Sequence, residues 1–258
     1  MLKENNLCDR VGIAMSTFYN LNSKSDLCRV RLANETIKRA TRAGYSIVVV
    51  DDGSPKSVIE RFKDNGAEVY PQILRGMGPG RREAIKYTYD LGKDFIVYVD
   101  PEKALFIPEV EKTVSPILNG NADMVIPGRV SLESYPAIQR MMEIKGNLFW
   151  RELTGIELDL WFGPRVWRRE LTRYFLEYDG ELGDRWEAHF VPVLDAVLSG
   201  ERVVKIEVNY QHPAEQTEVE NDNHIFDEKR FEQLAVLTSA LQARFDFRTS
   251  APAGVSLS

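Results

Sequence analysis

The segment SIVVVDDGSP, residues 46–55, changes character abruptly at its midpoint. Ser46–Val50 is apolar and β-branched almost throughout, as a parallel strand buried on both faces should be. Asp51-Asp52-Gly53-Ser54 then reads as a turn, with Ser54 a suitable N-cap and Pro55 suited to a first helical turn. Val58, Ile59 and Phe62 follow at helical spacing, and Gly66 ends that helix. A buried strand, a polar loop and an amphipathic helix are thus read within twenty-one residues.

The same pattern extends in both directions. Upstream, Val11–Met15 is a short apolar run, and Leu27, Val30, Ala33, Ile37 and Ala40 recur at helical spacing until Gly44. Downstream, Ala67–Tyr70 predicts a strand, Arg75–Gly80 a loop opening a helix through Leu91, and Asp94–Val99 a buried strand ending at Asp100. A helix near Glu109–Leu118 leads to a strand at Asp123–Ile126. Such alternation predicts an α/β fold with a mostly parallel sheet flanked by helices. Sheets of this kind bind ligands at the carboxyl ends of their strands. The loops at Asp51-Asp52, Arg75–Gly80 and Asp100-Pro101-Glu102 all begin there. The C-terminal half reads as more helical, with helices at 136–153, 164–177, 185–198 and 227–245 and one strand, Arg202–Tyr210. No linker or internal repeat divides the chain. One domain over residues 1–250 is expected, with a ligand-binding half at 10–128, a second half at 129–247 and a disordered tail at 248–258.

Composition narrows the function classes. The 258 residues are 43% apolar and 28% charged with a net charge of −6, an ordinary globular balance that argues against a broad nucleic-acid surface. No run approaches the roughly 18 apolar residues of a membrane span, and MLKENNLCDR is too polar for a signal peptide. Cys8 and Cys28 show no metal or redox spacing, so a reducing cytoplasm is the expected location.

The strand-end loops hold the residue types of a phosphate and metal site. Asp100 and Glu102 can hold a divalent cation such as Mn²⁺ or Mg²⁺, whose oxygen-rich shell nucleotide phosphates complete. The alternative is a turn cap at Asp100 and a solvated Glu102. A carboxylate at Asp51 or Asp52 can accept from a base imide or ribose hydroxyl, although both also suit a turn. Gly76–Arg82 could bring amides, a helix N-terminus and guanidiniums to a diphosphate, or could be a surface loop. His212 closes the strand Arg202–Tyr210, where a neutral imidazole could complete the metal shell. Asp184 and Glu187 open a helix after GELGDRWE, where either could act as a base or suit the helix dipole. Arg165, Arg168, Arg169 and Arg173 read as one helical face opposite Trp167, Leu171, Tyr174 and Phe175.

Taken in order over residues 10–213, these pieces resemble glycosyltransferase family 2 and its GT-A relatives. The similar features are VVVDDGSP, the glycine-rich loop before a helix, and an acidic pair at a strand end with FIP shortly after it. TGIELDLWFGPRVWRRE, GELGDRWE and RVVKIEVNYQHP follow in the family's order. The resemblance implies a GT-A, Rossmann-like fold and donor contacts at Thr17, Asp51, Asp52, Gly78, Arg81 and Asp100. It implies a metal at Asp100 and Glu102. In GT-A enzymes of the mannosylglycerate synthase type, which glycosylate small acids, a later histidine joins that site, and His212 falls where it would lie. The usual Asp-x-Asp is here Asp-Pro-Glu followed by Lys103, a departure that could weaken or retune metal binding.

The function so implied is transfer of a sugar from a UDP- or GDP-sugar to a hydroxyl acceptor, with a divalent cation and with Asp184 or Glu187 assisting. The partners are a nucleotide-sugar donor and a small-molecule or glycan acceptor, with self-association left open. Two alternatives compete. A sugar-nucleotide pyrophosphorylase should carry a glycine-rich loop after the first strand, where this chain has Met15–Tyr19. A silent nucleotide-sugar binder would be consistent with the Asp-Pro-Glu-Lys departure.

Overall fold

Val11–Thr17 (β1) runs through the middle of a seven-stranded sheet in a computed structural model that describes residues 6–221 and 224–250. A short helix, Leu7–Arg10 (α1), precedes it. The chain continues through Lys24–Arg42 (α2), Ser46–Asp51 (β2), Lys56–Asp64 (α3), Glu68–Pro71 (β3), Met77–Asp90 (α4) and Phe95–Tyr98 (β4). A 3₁₀ turn at Ala104–Glu109 leads into Val110–Leu118 (α5), Met124–Arg129 (β5) and Ala137–Thr154 (α6). Arg165–Arg168 (β6), Thr172–Glu177 (α7), Glu187–Leu198 (α8), Val203–Val208 (β7), Ala214–Asn221 (α9) and His224–Ser250 (α10) complete the order.

The strand order is β3-β2-β1-β4-β6-β5-β7. Every pairing is parallel except those of β6, which runs antiparallel to β4 and β5. The strand period of two divides the side chains between two cores. Val11, Ile13 and Met15 face one core with Val49, Val97 and Phe62. Ala14 and Val50 face the other with Ile96, Tyr98, Trp150 and Trp167. Burial of each such large side chain contributes about 1.5–3 kcal/mol, so both faces of the sheet are strongly specified.

The sequence reading of residues 164–177 as one helix is wrong. Arg165–Arg168 is a strand, pairing Val166 with Val97 on one side and with Val125 on the other. The RVWR segment fills the gap between β4 and β5 and sends Val166 and Trp167 into opposite cores. The helical turn α7 begins only at Thr172, whose hydroxyl accepts a hydrogen bond from Trp167 Nε1 at 3.0 Å. Arg165 is therefore fully buried instead of lying on a solvated helix face, and it donates to the carbonyls of Leu160, Gly163 and Pro164. Helix α9, Ala214–Asn221, is not among the helices read from the sequence. The expected tail at 248–258 begins in helix, since α10 runs to Ser250, and residues 251–258 lie outside the described residues.

Arg129, the last residue of β5, anchors the second half to the sheet. Its guanidinium donates to Asp159 at 2.7 and 2.8 Å and to Glu143 at 2.6 Å, all three side chains being buried. Gln139 donates to the other Glu143 oxygen, Oε1, and Asn147 gives Asp159 Oδ1 a second donor. Strand β5, helix α6 and the loop at Asp159 are tied together in this way. No helix among the described residues is long and apolar enough to cross a membrane.

Candidate active site

The carboxyl ends of β1, β2 and β4 open into a cleft of about 420 Å³, roofed by residues of α10 and by the segment after β7. Thr17, Asp52, Arg81 and Asp100 line its sheet side, whereas Arg29, His212, Lys229 and Arg230 line the far side. Its size is that of a small-molecule site.

The β1 and β2 loops are fixed by Asp51, which is buried and turned away from the cleft. Its carboxylate accepts from Thr17 Oγ1 at 2.7 Å, the Gly53 and Ser54 amides at 3.0 and 2.7 Å, and Ser54 Oγ at 2.6 Å. Ser54 Oγ in turn accepts the Tyr19 amide at 2.9 Å, so Ser54 joins two loops instead of capping α3. This network leaves Asp52 as the β2 carboxylate that reaches the cleft.

Asp100 meets Gly163 across the cleft. A Cβ on Gly163, whose φ is +110°, would lie 1.8 Å from Asp100 Oδ2, so the glycine makes room for the carboxylate. No hydrogen bond to the Asp100 carboxylate is present among the described residues. Glu102, by contrast, accepts from Arg29 Nε at 2.7 Å and from the Tyr19 hydroxyl at 3.2 Å. Lys103 turns into the cleft, its ammonium 5.0–5.5 Å from the ring centres of Tyr135, Phe162 and Tyr210. Burial alone would depress this amine, yet Tyr135, Tyr210 and Asp100 raise it, and it keeps its charge.

Arg81 Nε donates to the Tyr98 hydroxyl at 3.3 Å, and its terminal nitrogen donates to the Arg185 carbonyl at 3.1 Å. His189, on α8, lines the same wall. Its ring lies 4.4 Å from that of Tyr98, and Nε2 lies 3.1 Å from the Gly163 carbonyl. Burial, then Arg165 and Arg81, push its pKa well below the ordinary imidazole range, so it is neutral at pH 7.

No protein-family model matches the chain. An uncharacterized protein of Methanocaldococcus jannaschii is 33% identical over 117 residues, a match spanning 43% of this chain and about half, 48%, of that relative. Glucosyl-3-phosphoglycerate synthase from Mycobacterium tuberculosis, in complex with Mn²⁺, UDP-glucose and phosphoglyceric acid, is similar over 96% of this chain and 82% of its own. The TM-score is 0.59 at 14% identity. The same enzyme with UDP alone gives 0.59 at 15% identity over 96% and 83% of the two chains. With Mg²⁺ and UDP it gives 0.57 at 15% identity over 96% and 82%. The chain has the GT-A fold.

On this GT-A scaffold the sequence-derived residues separate into two groups. Thr17, Asp52, Arg81, Asp100, Glu102 and His212 all line the cleft. Asp51 does not, for the reason given above. Gly78 is also outside it, because it packs α4 against the loop before α8. Its amide donates to the Asp184 carbonyl at 3.0 Å, and a Cβ there would lie 1.9 Å from Asp184 Oδ1. Gly76 and Met77 occupy the cleft edge instead. Asp184 itself receives a bidentate pair from Arg82 at 2.5 and 2.7 Å, and Glu187 is buried, accepting the Arg185 amide at 3.0 Å. Neither lines the cleft: Asp184 and Glu187 both hold the loop that supports Arg81 and α4. The far-side cations Arg29, Lys229 and Arg230 carried no motif, because they come from unrelated helices at distant positions in the chain.

Asp52→Ala is expected to weaken nucleotide binding by about 1.5–3 kcal/mol, the range for a hydrogen bond to a charged group. Calorimetric titration with UDP and GDP reads this directly, and unchanged affinity for both would remove Asp52 from the site.

Among the described residues, no three His, Cys, Asp or Glu side chains stand close enough to hold a metal ion unaided. Asp100 and His212 nonetheless offer donor atoms to one whose shell a diphosphate completes, with the Lys103 ammonium close to both. Asp100 offers a carboxylate with no hydrogen-bond partner among the described residues, and His212 offers a buried Nδ1 that has none either. Glu102 is the weaker ligand of the three, since Arg29 and Tyr19 already engage it.

Proposed function

We propose that the protein transfers a sugar from a nucleoside-diphosphate sugar, UDP- or GDP-linked, to a hydroxyl of a small acid. The Asp100 carboxylate just after β4, with no hydrogen-bond partner among the described residues, carries this reading. It faces the cleft on a fold whose solved neighbours hold UDP-glucose with Mn²⁺.

Each residue has a role that its position supports. Asp52, at the end of β2, accepts from the nucleoside, and Thr17 holds Asp51 so that the β2 loop keeps its shape. Arg81, fixed by Tyr98 and the Arg185 carbonyl, presents its charge to the departing diphosphate. Stabilisation of charge developing on a leaving group is a large catalytic effect in a site shielded from water. A divalent cation held by Asp100 and His212, with Glu102 beside them, would act as a Lewis acid on that diphosphate. The carboxylates Glu102, Glu143 and Glu220 each carry a protein partner, so no base is assigned to any of them.

The far wall supports the acceptor class. Arg29 of α2 with Lys229 and Arg230 of α10 place three cations beside the carboxylates Glu102 and Glu220. The neighbouring synthase is described with phosphoglyceric acid, an anion of suitable size. Burial, then Arg230 and Arg29, lower the Lys229 amine to about 8. The charged amine is the form that binds an anion, so acceptor affinity is full below about pH 8 and falls as pH rises through it. The KM for phosphoglyceric acid should therefore rise between about pH 7 and 9, while Lys229→Met should show a higher, flatter KM. A KM in the unaltered protein that is flat across that range would remove Lys229 from acceptor binding.

Turnover of UDP- and GDP-sugars, followed as nucleotide release with and without Mn²⁺ and phosphoglyceric acid, tests the reaction. Binding without release in any combination would show a silent binder.

A further inference from the structure

His212 lies between β7 and α9 and is held on several sides. Tyr135 stacks on it at 4.4 Å between ring centres and 28° between planes. Its backbone amide donates to Ser134 Oγ at 2.8 Å. Its Nε2 lies 3.2 Å from Glu220 Oε2, and both side chains are buried. Glu220 is fixed in turn by Gln216, one turn earlier on α9, whose Nε2 donates to Oε1 at 2.9 Å. The remaining imidazole nitrogen, Nδ1, is buried without a hydrogen-bond partner.

This geometry selects one tautomer. An ionised carboxylate only accepts, so the imidazole proton sits on Nε2 and the lone pair on Nδ1. A buried nitrogen lone pair without a donor costs free energy unless something fills the position. His212 lines the same cleft as Asp100, whose carboxylate is also without a hydrogen-bond partner among the described residues.

We propose that Glu220 is a positioning residue for a divalent cation. Acting through His212, it fixes the tautomer and the ring orientation, so that Nδ1 is presented as a ligand alongside Asp100. The proposal rests on the metal reading of the cleft given above. It explains why a short helix, α9, carries two buried polar side chains, Gln216 and Glu220, where apolar ones would pack more cheaply. Carboxylates that hydrogen-bond a ligating histidine orient it and raise its basicity, and their loss typically weakens metal binding by about 10–100-fold. A purely structural Glu220 would tie α9 to the β7 exit and would affect melting alone.

The test is Mn²⁺ titration of the full chain by calorimetry with UDP saturating, alongside melting temperatures measured without metal. Glu220→Leu removes both hydrogen bond and charge and should weaken Mn²⁺ binding by about 10–100-fold. Glu220→Gln retains an acceptor oxygen and should weaken it less. If Glu220→Leu does not fold, Glu220→Gln decides: a measurable loss of Mn²⁺ affinity at unchanged melting supports the proposal, and unchanged affinity overturns it. Two reference variants separate this inference from the reading beneath it. If His212→Ala weakens Mn²⁺ binding but the Glu220 variants do not, Glu220 is structural and the proposal falls while the metal site stands. If Asp100→Asn weakens binding and His212→Ala does not, His212 is no ligand and the proposal falls with it. If neither substitution changes Mn²⁺ affinity, the metal reading itself has failed.

Discussion

Asp100→Asn should lower donor turnover by about 10²–10³-fold or more and remove its stimulation by Mn²⁺, with the fold intact. The magnitude follows from the loss of one pre-organised electrostatic contribution to the departing diphosphate. The structural half of the expectation comes from the setting of the side chain. No hydrogen bond to the Asp100 carboxylate is present among the described residues, and asparagine has nearly the same shape against Gly163. Lys103 and Arg165, both buried, lose a nearby negative charge, so the melting temperature should fall somewhat while the protein still folds. Steady-state kinetics and a thermal melt on the same preparation separate the two halves. An unfolded variant would make Asp100 a structural residue, and unchanged turnover would remove it from the chemistry.

Arg129→Met should be the most destabilising of the substitutions considered. It leaves Asp159 and Glu143 buried without their shared cation, and breaking a buried ion pair from one side costs about 3–5 kcal/mol. For a chain of this size that corresponds to a fall in melting temperature of roughly 6–20 °C. Adding Glu143→Gln and Asp159→Asn to the same chain should recover part of the loss, because neutral amides cost less to bury than lone carboxylates. Activity should fall as well. The Arg129 guanidinium lies 4.6 Å from the Tyr135 ring centre and 5.1 Å from that of Phe162, and both rings also border Lys103. A melt within about 2 °C of the unaltered protein would show that the Arg129 cluster does not tie β5 to α6 and the Asp159 loop.

The nucleotide-facing half was legible because its signals are local. SIVVVDDGSP contains a buried strand and its exit loop within ten residues, and β2 spans Ser46–Asp51. The placement of Asp52 and Asp100 at strand ends followed from the same pattern. The roles of Asp51, Gly78 and Asp184 were not legible in this way. Each has the residue type of a ligand contact, but long-range partners decide its use. Thr17 and Ser54 turn Asp51 inward, and Arg82, far from Asp184 in the chain, claims that carboxylate. The misreading of β6 has a different origin. Trp167, Leu171, Tyr174 and Phe175 satisfy a helical period, yet the vacancy between β4 and β5 is filled by Val166 as a strand residue, a tertiary demand that overrides local spacing. The far wall of the cleft was invisible because Arg29, Lys229 and Arg230 converge only when α10 packs against α6 and α8.

A crystal structure with UDP and Mn²⁺ would decide whether the strand ends at Asp52 and Asp100 bind a nucleoside-diphosphate sugar with a divalent cation. The nucleoside should lie beside Asp52, the diphosphate beside Arg81, and the cation against Asp100 and Nδ1 of His212. UDP seated elsewhere on the protein, or a cation bound away from Asp100, would contradict it.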